Sequence, residues 1–316
     1  MKPSTKEILE KQHYALYNDL AVQICRWTKH SLKNEGFCYK EKFYGIHSHR
    51  CVQMSPCTLF CQNQCLHCWR PIELTEGMKM SGEIMKPSEI IDKCIEMQRK
   101  LLMGFKGNAK VSKEKFSGAM SPNQFAISLS GEPTLYPYLG ELIEELRKRK
   151  ITSFLVTNGL NPDVLKKLNE RKQLPTQLYL SVNAPNKELY DKIVRSRIKN
   201  AWNIYMKTIK LFPKLKTRKV LRLTLIRNLN MDDNLIKYYA HLINIAKPHF
   251  AEIKSFMSVG FSRQRLGYER MPFHFEIKYF SEKLSKLTGL KILDEKKESR
   301  VVLLGKTTKG MKIKSC

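Results

Sequence analysis

The sequence predicts an α/β fold: a partial TIM-like barrel of six strand–helix units, with an N-terminal helical and cysteine-loop extension and a short C-terminal extension. Three observations predict it. Six short apolar runs each end in polar or small residues, segments of helical period separate them, and no internal repeat or low-complexity tract interrupts the alternation. Strands that are apolar throughout and finish in Gly, Asn or Ser read as a parallel sheet with its functional groups at the strand C-terminal ends.

In chain order, residues 5–33 read as helical and residues 36–50 (GFCYKEKFYGIHSHR) as an irregular, cationic and aromatic loop. The six strands are VQMSPCTLF (52–60), FAISLSGEP (125–133), ITSFLVTNG (151–159), QLYLSVNAP (177–185), VLRLTLIRN (220–228) and AEIKSFMSVG (251–260). Between them PSEIIDKCIEMQRKLLMG (87–104), YLGELIEELRKRK (138–150) and DNLIKYYAHLINIA (233–246) carry the helical spacing. HFEIKYFSEKLSKL, KILD and RVVLL close one flank. The expected domains are an N-terminal extension (1–50), the barrel (51–270) and a C-terminal extension (271–316).

A chain of 316 residues with 42% hydrophobic content can bury a large core. It has no apolar run long enough to span a bilayer, and MKPSTKEILEKQHYALYN lacks the apolar stretch of a signal peptide. A cytoplasmic, monomeric protein with no membrane contact is expected, in a compartment where thiols stay reduced. Lys and Arg number 57 against 29 Asp and Glu, a net charge of +28, which points to a polyanionic partner and most directly to nucleic acid. A thermophile surface rich in Lys and Glu would add both signs together.

Seven of nine cysteines lie between residues 25 and 68. Cys61, Cys65 and Cys68 form CxxxCxxC, three thiols without a fourth of the same spacing. Structural zinc takes four closed ligands, whereas an iron–sulfur cubane on three thiolates leaves one iron open. His67 reads as a loop-shaping residue rather than a fourth ligand. Cys25, Cys38 and Cys51 repeat at gaps of twelve residues. Three buried thiols would be the plainer reading, but "CYKEKFYGIHSHRC" is polar and aromatic, which favours ligands of a second open cluster. Cys57 is expected to line a strand, Cys94 a helix, and Cys316 to be a frayed end.

CxxxCxxC on the loop after a first barrel strand resembles the radical S-adenosylmethionine superfamily. Ser130-Gly131-Glu132-Pro133 ends the second strand and resembles that superfamily's Gly-Gly-Glu motif, where glycine lets backbone approach the ligand and the carboxylate pairs with the methionine ammonium. Thr157 and Asn158, then Ser181 and Asn183, end the next two strands at positions suited to the carboxylate and ribose. Asn183 departs from the pattern, in which an Asp is expected, and weakens that one contact.

The two cysteine triplets, with "CLHCWRP", "SLSGEPTLYPYL", "VTNG" and "IKSFMSVGFS", resemble one family from about Ala21 to Leu304: the archaeal 4-demethylwyosine synthases of the wybutosine pathway. The resemblance implies two 4Fe-4S clusters, S-adenosyl-L-methionine, and tRNA-Phe carrying 1-methylguanosine as substrate, with pyruvate supplying two carbons of a tricyclic base. It implies that a 5′-deoxyadenosyl radical takes hydrogen from the methyl group, and that a separate ferredoxin- or flavodoxin-like protein gives the electron. Lys40 is expected to form a Schiff base with pyruvate, with Lys42 as the alternative and phosphate contact as the plainer role of both.

Arg147 to Lys150, Lys207 to Arg222, and Arg263 with Arg265 beside Phe261 are candidate tRNA patches. The first sits at a helix C-terminus and reads better as a solvated end. Trp69, Phe43 and Tyr44 are candidate stacking partners for an extruded base, and Glu252, Lys254 and Ser255 lie where substrate would be met. A radical enzyme acting on a peptide or small molecule, or a non-catalytic iron–sulfur RNA-binding or sensor protein, are the competing readings. The +28 charge opposes the first, and the open three-thiol site with its SGEP loop opposes the second.

Overall fold

A computed structural model describes residues 1–80 and 83–313; Cys316 lies outside the described residues. Its ten strands form one sheet: β1 (Tyr14–Tyr17), β2 (Leu20–Gln23), β3 (Cys51–Ser55), β4 (Gln124–Ile127), β5 (Thr152–Thr157), β6 (Gln177–Val182), β7 (Arg218–Leu225), β8 (Phe250–Ser255), β9 (Lys291–Lys296) and β10 (Val301–Gly305). The spatial order is β1-β2-β3-β4-β5-β6-β7-β8-β10-β9. β3 to β8 pair in parallel as the six expected barrel strands. The β1–β2 and β9–β10 hairpins extend the sheet antiparallel at either end. The end strands β1 and β9 do not meet, so the barrel is open.

The two faces of this sheet differ in what they bury. Val52, Met54, Phe125, Ile127, Leu155, Leu178, Leu180, Leu221, Leu223 and Ile253 face outward into the main core, shared with the covering helices. The helix Leu139–Lys148 is representative: Leu139, Leu142, Ile143 and Leu146 form its buried stripe, while Glu141, Glu144 and Lys148 stay on the wet side. Each such side chain contributes roughly 1.5–3 kcal/mol by leaving water. The alternate residues face the lumen. There Phe154, Tyr179, Val220, Phe250 and Leu303 pack with Tyr39, Phe43 and Tyr44 as a separate aromatic floor.

Above that floor the lumen-facing residues are only half-buried: Gln53, Val156, Ser181, Arg222, Thr224 and Lys254. The register aligns them, with Ser181 beside Arg222, Arg222 beside Glu252, and Thr224 beside Lys254. All but Val156 are polar, so this level of the lumen is only partly buried and largely polar, unlike the apolar outward face.

Three local expectations are corrected. Residues 5–33 are not one helical stretch: the helices Pro3–Lys11 and Arg26–Leu32 flank the β1–β2 hairpin. Asn18 turns this hairpin at φ +50°, a left-handed conformation that Asn tolerates better than most residues. The loop 36–50 contains the helix Tyr39–Tyr44. The first barrel strand stops at Ser55, because Pro56 and the cysteine loop leave the sheet there. The sheet runs across residues 50 and 270, so the N- and C-terminal extensions share its hydrogen-bond ladder with the barrel.

Candidate active site

The CxxxCxxC loop leaves β3 at the lumen mouth and is clamped from two sides. On one side Arg197 gives its backbone N–H to the Gln62 carbonyl (2.9 Å) and its guanidinium to the Cys61 carbonyl (2.7 Å), while Leu66 N–H reaches the Ile193 carbonyl (2.9 Å). On the other, Arg265 donates to the carbonyls of Leu66 (3.1 Å), Arg70 (3.3 Å) and Cys68, and pairs with Glu73 (2.6 Å). Gly260 allows this second clasp, because a Cβ there would stand 2.5 Å from the Trp69 carbonyl. Arg265 is thus a staple of the loop and not a tRNA contact, which corrects its expected role.

All three thiols are free. Burial pushes Cys61 up to about 12, and it raises Cys65 and Cys68 as well; Cys65 is raised further by the nearness of Cys68 and Cys61. N–H groups already face Cys61 sulfur, from Asn63 backbone (3.4 Å) and the Asn158 amide (4.0 Å). Among the described residues no three Cys, His, Asp or Glu side chains converge as they would on a single ion. Three soft sulfur donors on one short loop have the ligand chemistry of an iron–sulfur cluster. His67 has an unpartnered Nδ1, and burial lowers it to about 4, so it sits there neutral.

The SGEP loop meets the cysteine loop directly. Ser130 takes the Leu59 N–H on its hydroxyl (3.3 Å) and the Ser55 hydroxyl on its carbonyl. Gly131 stands at φ +72°, and a Cβ there would run into the Cys57 carbonyl, so only glycine fits. Cys57 lies past the end of β3 and bonds the Glu132 carbonyl (3.1 Å). Glu132 is buried; its Oε1 accepts from Thr134 N–H (3.1 Å), Thr134 hydroxyl (2.6 Å) and Thr157 hydroxyl (2.7 Å). Its Oε2 accepts from Asn158 N–H alone (2.7 Å), which leaves that oxygen able to take a further donor. Burial raises the Glu132 carboxyl against these four donors, which lower it. The Asn158 amide also reaches Gln62 (3.1 Å). Ser181 near the end of β6 and Asn183 just beyond it are half-exposed, on the strand next to β5, which ends at Thr157.

The second triplet lies deeper. Cys25 caps the helix Arg26–Leu32, taking Thr28 N–H on its sulfur (3.4 Å); Cys38 precedes the helix Tyr39–Tyr44; Cys51 opens β3. Burial raises the Cys38 thiol to about 11 and raises Cys51 too, and Cys25 pushes both further. The three thiols are free, and as soft sulfur donors they have the ligand chemistry of a cluster. Beside them Lys40 Nζ stands 4.7 Å over the Tyr179 ring and 5.1 Å over Phe154. Burial and the Arg222 charge lower Lys40, opposed by Cys38, Glu252 and Cys51.

A buried carboxylate that sequence patterns did not single out as structural organises this floor. Glu252 is fully buried and accepts from Tyr44 hydroxyl (2.7 Å), Tyr39 hydroxyl (2.9 Å) and Arg222 Nε (3.1 Å). Phe43 and Tyr44 are therefore core, not stacking partners for a base. Lys219 and Arg222 likewise lie within the sheet and not on a phosphate-binding surface. Lys254 is tied to the Ser299 carbonyl (2.7 Å), and burial lowers it to about 8. Because Glu252→Gln removes the charge between three donors, we expect it to cost about 3–5 kcal/mol. Denaturant unfolding of the purified protein checks this.

The model of the radical SAM superfamily matches residues 55–238 and that of wyosine base formation residues 245–306. An S-adenosyl-L-methionine-dependent tRNA 4-demethylwyosine synthase of Pyrococcus horikoshii is 46% identical over 306 residues, covering 96% of this chain and 89% of its own. The chain belongs to the tRNA 4-demethylwyosine synthase family. Two solved structures agree. TYW1 with a lysine-pyruvate adduct bound matches with a TM-score of 0.87 and 36% identity over 99% of this chain and 98% of its own. Archaeal TYW1 matches with 0.81 and 32% over 99% and 100%. For a member of the 4-demethylwyosine synthase family the site divides into two levels: thiols and an SGEP rim at the mouth, and thiols with a lysine on the floor. No helix among the described residues is long and apolar enough to cross a membrane.

Proposed function

We propose that the chain is a cytoplasmic radical S-adenosylmethionine enzyme that builds 4-demethylwyosine from 1-methylguanosine in tRNA-Phe and from pyruvate. Cys61, Cys65 and Cys68 would hold the cluster that binds S-adenosylmethionine, and Ser130, Gly131, Glu132, Thr157, Asn158, Ser181 and Asn183 the methionine and ribose. Cys25, Cys38 and Cys51 would hold the second cluster. When bound, this cofactor set supplies the hydrogen-abstracting radical that an unactivated methyl group requires. An external one-electron donor completes the system.

Lys40 carries the reading. Of the lysines at the floor, Lys42 is turned outward to the Glu295 carbonyl (2.6 Å) and Asp294 (2.8 Å), and Lys254 is held by Ser299. Lys254 also stands over a ring, Tyr39 at 5.6 Å, but its amine is already bonded, whereas Lys40 meets the Tyr179 and Phe154 faces and, among the described residues, no acceptor. A lysine-pyruvate adduct in a relative of 36% identity favours an amine at this floor. The Lys40 amine would add to C2 of pyruvate; the carbonyl oxygen leaves as water with two amine protons, and an imine remains. Arg222 Nη2 is buried without an acceptor, and the guanidinium carbon stands 4.5 Å over the same Tyr179 ring, which would offer the free N–H to the pyruvate carboxylate. The cysteine loop, the SGEP rim and the floor together shield the imine from bulk water.

The test is mass analysis of tRNA nucleosides after anaerobic incubation of reconstituted protein with reductant, S-adenosylmethionine, pyruvate and tRNA containing 1-methylguanosine. A tricyclic base that forms only when pyruvate is present is the expected result. S-adenosylmethionine cleavage without that base would assign the fold to another substrate.

A further inference from the structure

The proposed reaction requires one guanosine of a tRNA to leave its stack and enter the lumen, which leaves neighbouring bases unpartnered. Among the described residues the four most exposed aromatic side chains all fall in one short segment: Tyr268 (60%), Phe273 (50%), Phe275 (70%) and Tyr279 (52%). Four large rings left in water within one short stretch of chain point to a binding surface.

The rings are held, not loose. Phe273 and Phe275 stack at 5.8 Å with 16° between their planes. Arg227 and Arg300 stand over Phe273 at 4.9 and 5.2 Å, and Arg263 over Tyr268 at 5.6 Å. Next to Phe275 and Tyr279 opens a groove of about 420 Å³, bordered by Asn228, Met231 and Asp232 from the turn after β7. The Asn228 amide and the Asp232 carboxylate at its edge offer partners to a base's polar atoms.

Location ties this patch to the mouth. The segment after β8 that carries it is the one that clasps the cysteine loop, through Phe261 N–H to the Trp69 carbonyl (3.1 Å) and through Arg265. Pro272, just before the rings, accepts from Ser255 at the end of β8 (2.9 Å) and from Arg300 (2.8 Å). The charges also suit a phosphate backbone. Arg227 is neutralised by Glu276, but Arg263 and Arg270 donate only to the backbone carbonyls of Ser258, Asn228 and Arg227 and keep their charge uncompensated.

We propose that Phe273, Phe275, Tyr268 and Tyr279 form a stacking platform for the unpaired anticodon-loop bases that flank the modified guanosine, with Arg263 and Arg270 on the adjoining phosphates. This rests on the tRNA reading above. Stacking suits single-stranded RNA, since every base has a face to offer, while the arginines add sequence-independent attraction. The platform holds the loop open at the rim while the target guanosine passes into the lumen.

The experiment uses the full chain and an anticodon stem-loop RNA with 2-aminopurine beside the modified guanosine. Wild-type protein quenches the probe. Phe273→Ala and Phe275→Ala should each restore its fluorescence and weaken binding roughly tenfold, while Phe275→Trp keeps both. Unchanged unfolding midpoints in the variants show that the fold is intact. A fully paired RNA should bind the variants and wild type alike. Quenching and affinity that survive both alanine substitutions would overturn the platform, as would equal losses on paired and looped RNA. In either case pyruvate-dependent product from wild type leaves the proposed function standing. Wild-type protein that ignores the stem-loop and yields no tricyclic base would overturn both.

Discussion

Lys40→Ala protein will make no detectable tricyclic base, and borohydride will no longer attach pyruvate to the polypeptide. In wild-type protein the same treatment should reduce an imine and leave pyruvate carbon on the peptide that contains Lys40. The geometry sets the expectation. Lys40 stands over Tyr179 and Phe154 with no acceptor among the described residues, whereas Lys42 and Lys254 are both engaged. Lys40→Arg should fail equally, because a guanidinium keeps the charge but cannot become the neutral amine that attacks a ketone. Iron content unchanged from wild type would show that the floor still assembles. Pyruvate trapped on Lys40→Ala protein would transfer the role to another amine, and Lys254 is the one that shares this space.

The two cysteine triplets should separate in a second experiment. Two four-iron clusters give about eight irons per chain after reconstitution. Cys65→Ala and Cys38→Ala should each lower that to about four, by loss of different clusters. Cys65→Ala should abolish reductive cleavage of S-adenosylmethionine. Cys38→Ala should retain cleavage and lose the tricyclic base, because its thiol belongs to the floor beside Lys40 and not to the mouth beside the SGEP loop. Full iron in Cys38→Ala would mean that the second triplet consists of packing thiols.

Much of this site was legible because its residues are local in sequence. CxxxCxxC spans eight residues, and the SGEP and TNG loops each end a recognisable strand, so short windows contained them. The thiols and the lysine of the floor were legible too, but the packing that holds them was not, for the opposite reason. Tyr39 and Tyr44 look like surface aromatics within a polar stretch, and only Glu252, more than 200 positions away, satisfies their hydroxyls and lets them be buried. The same holds for Arg222 and Arg265, which look like phosphate contacts until Glu252 and the cysteine-loop carbonyls stand beside them. The β1–β2 hairpin did carry a local signal in Asn18-Asp19 between two apolar runs, obscured by the helical pattern on either side. The expected tRNA patches were chosen on charge and on nearness in sequence to an aromatic residue. The exposed rings at 268–279 follow from burial, which charge counts do not contain.

The fate of the pyruvate carbons decides whether the floor binds pyruvate. The anaerobic incubation can be run with pyruvate labelled at C1 in one sample and at C2 and C3 in another, followed by mass analysis of the tRNA base. Two labelled carbons in the tricyclic base from the second sample, and none from the first, is the predicted result. Carbon from C1 in the base, or an unlabelled tricyclic base in both, would contradict the assignment of the floor to pyruvate.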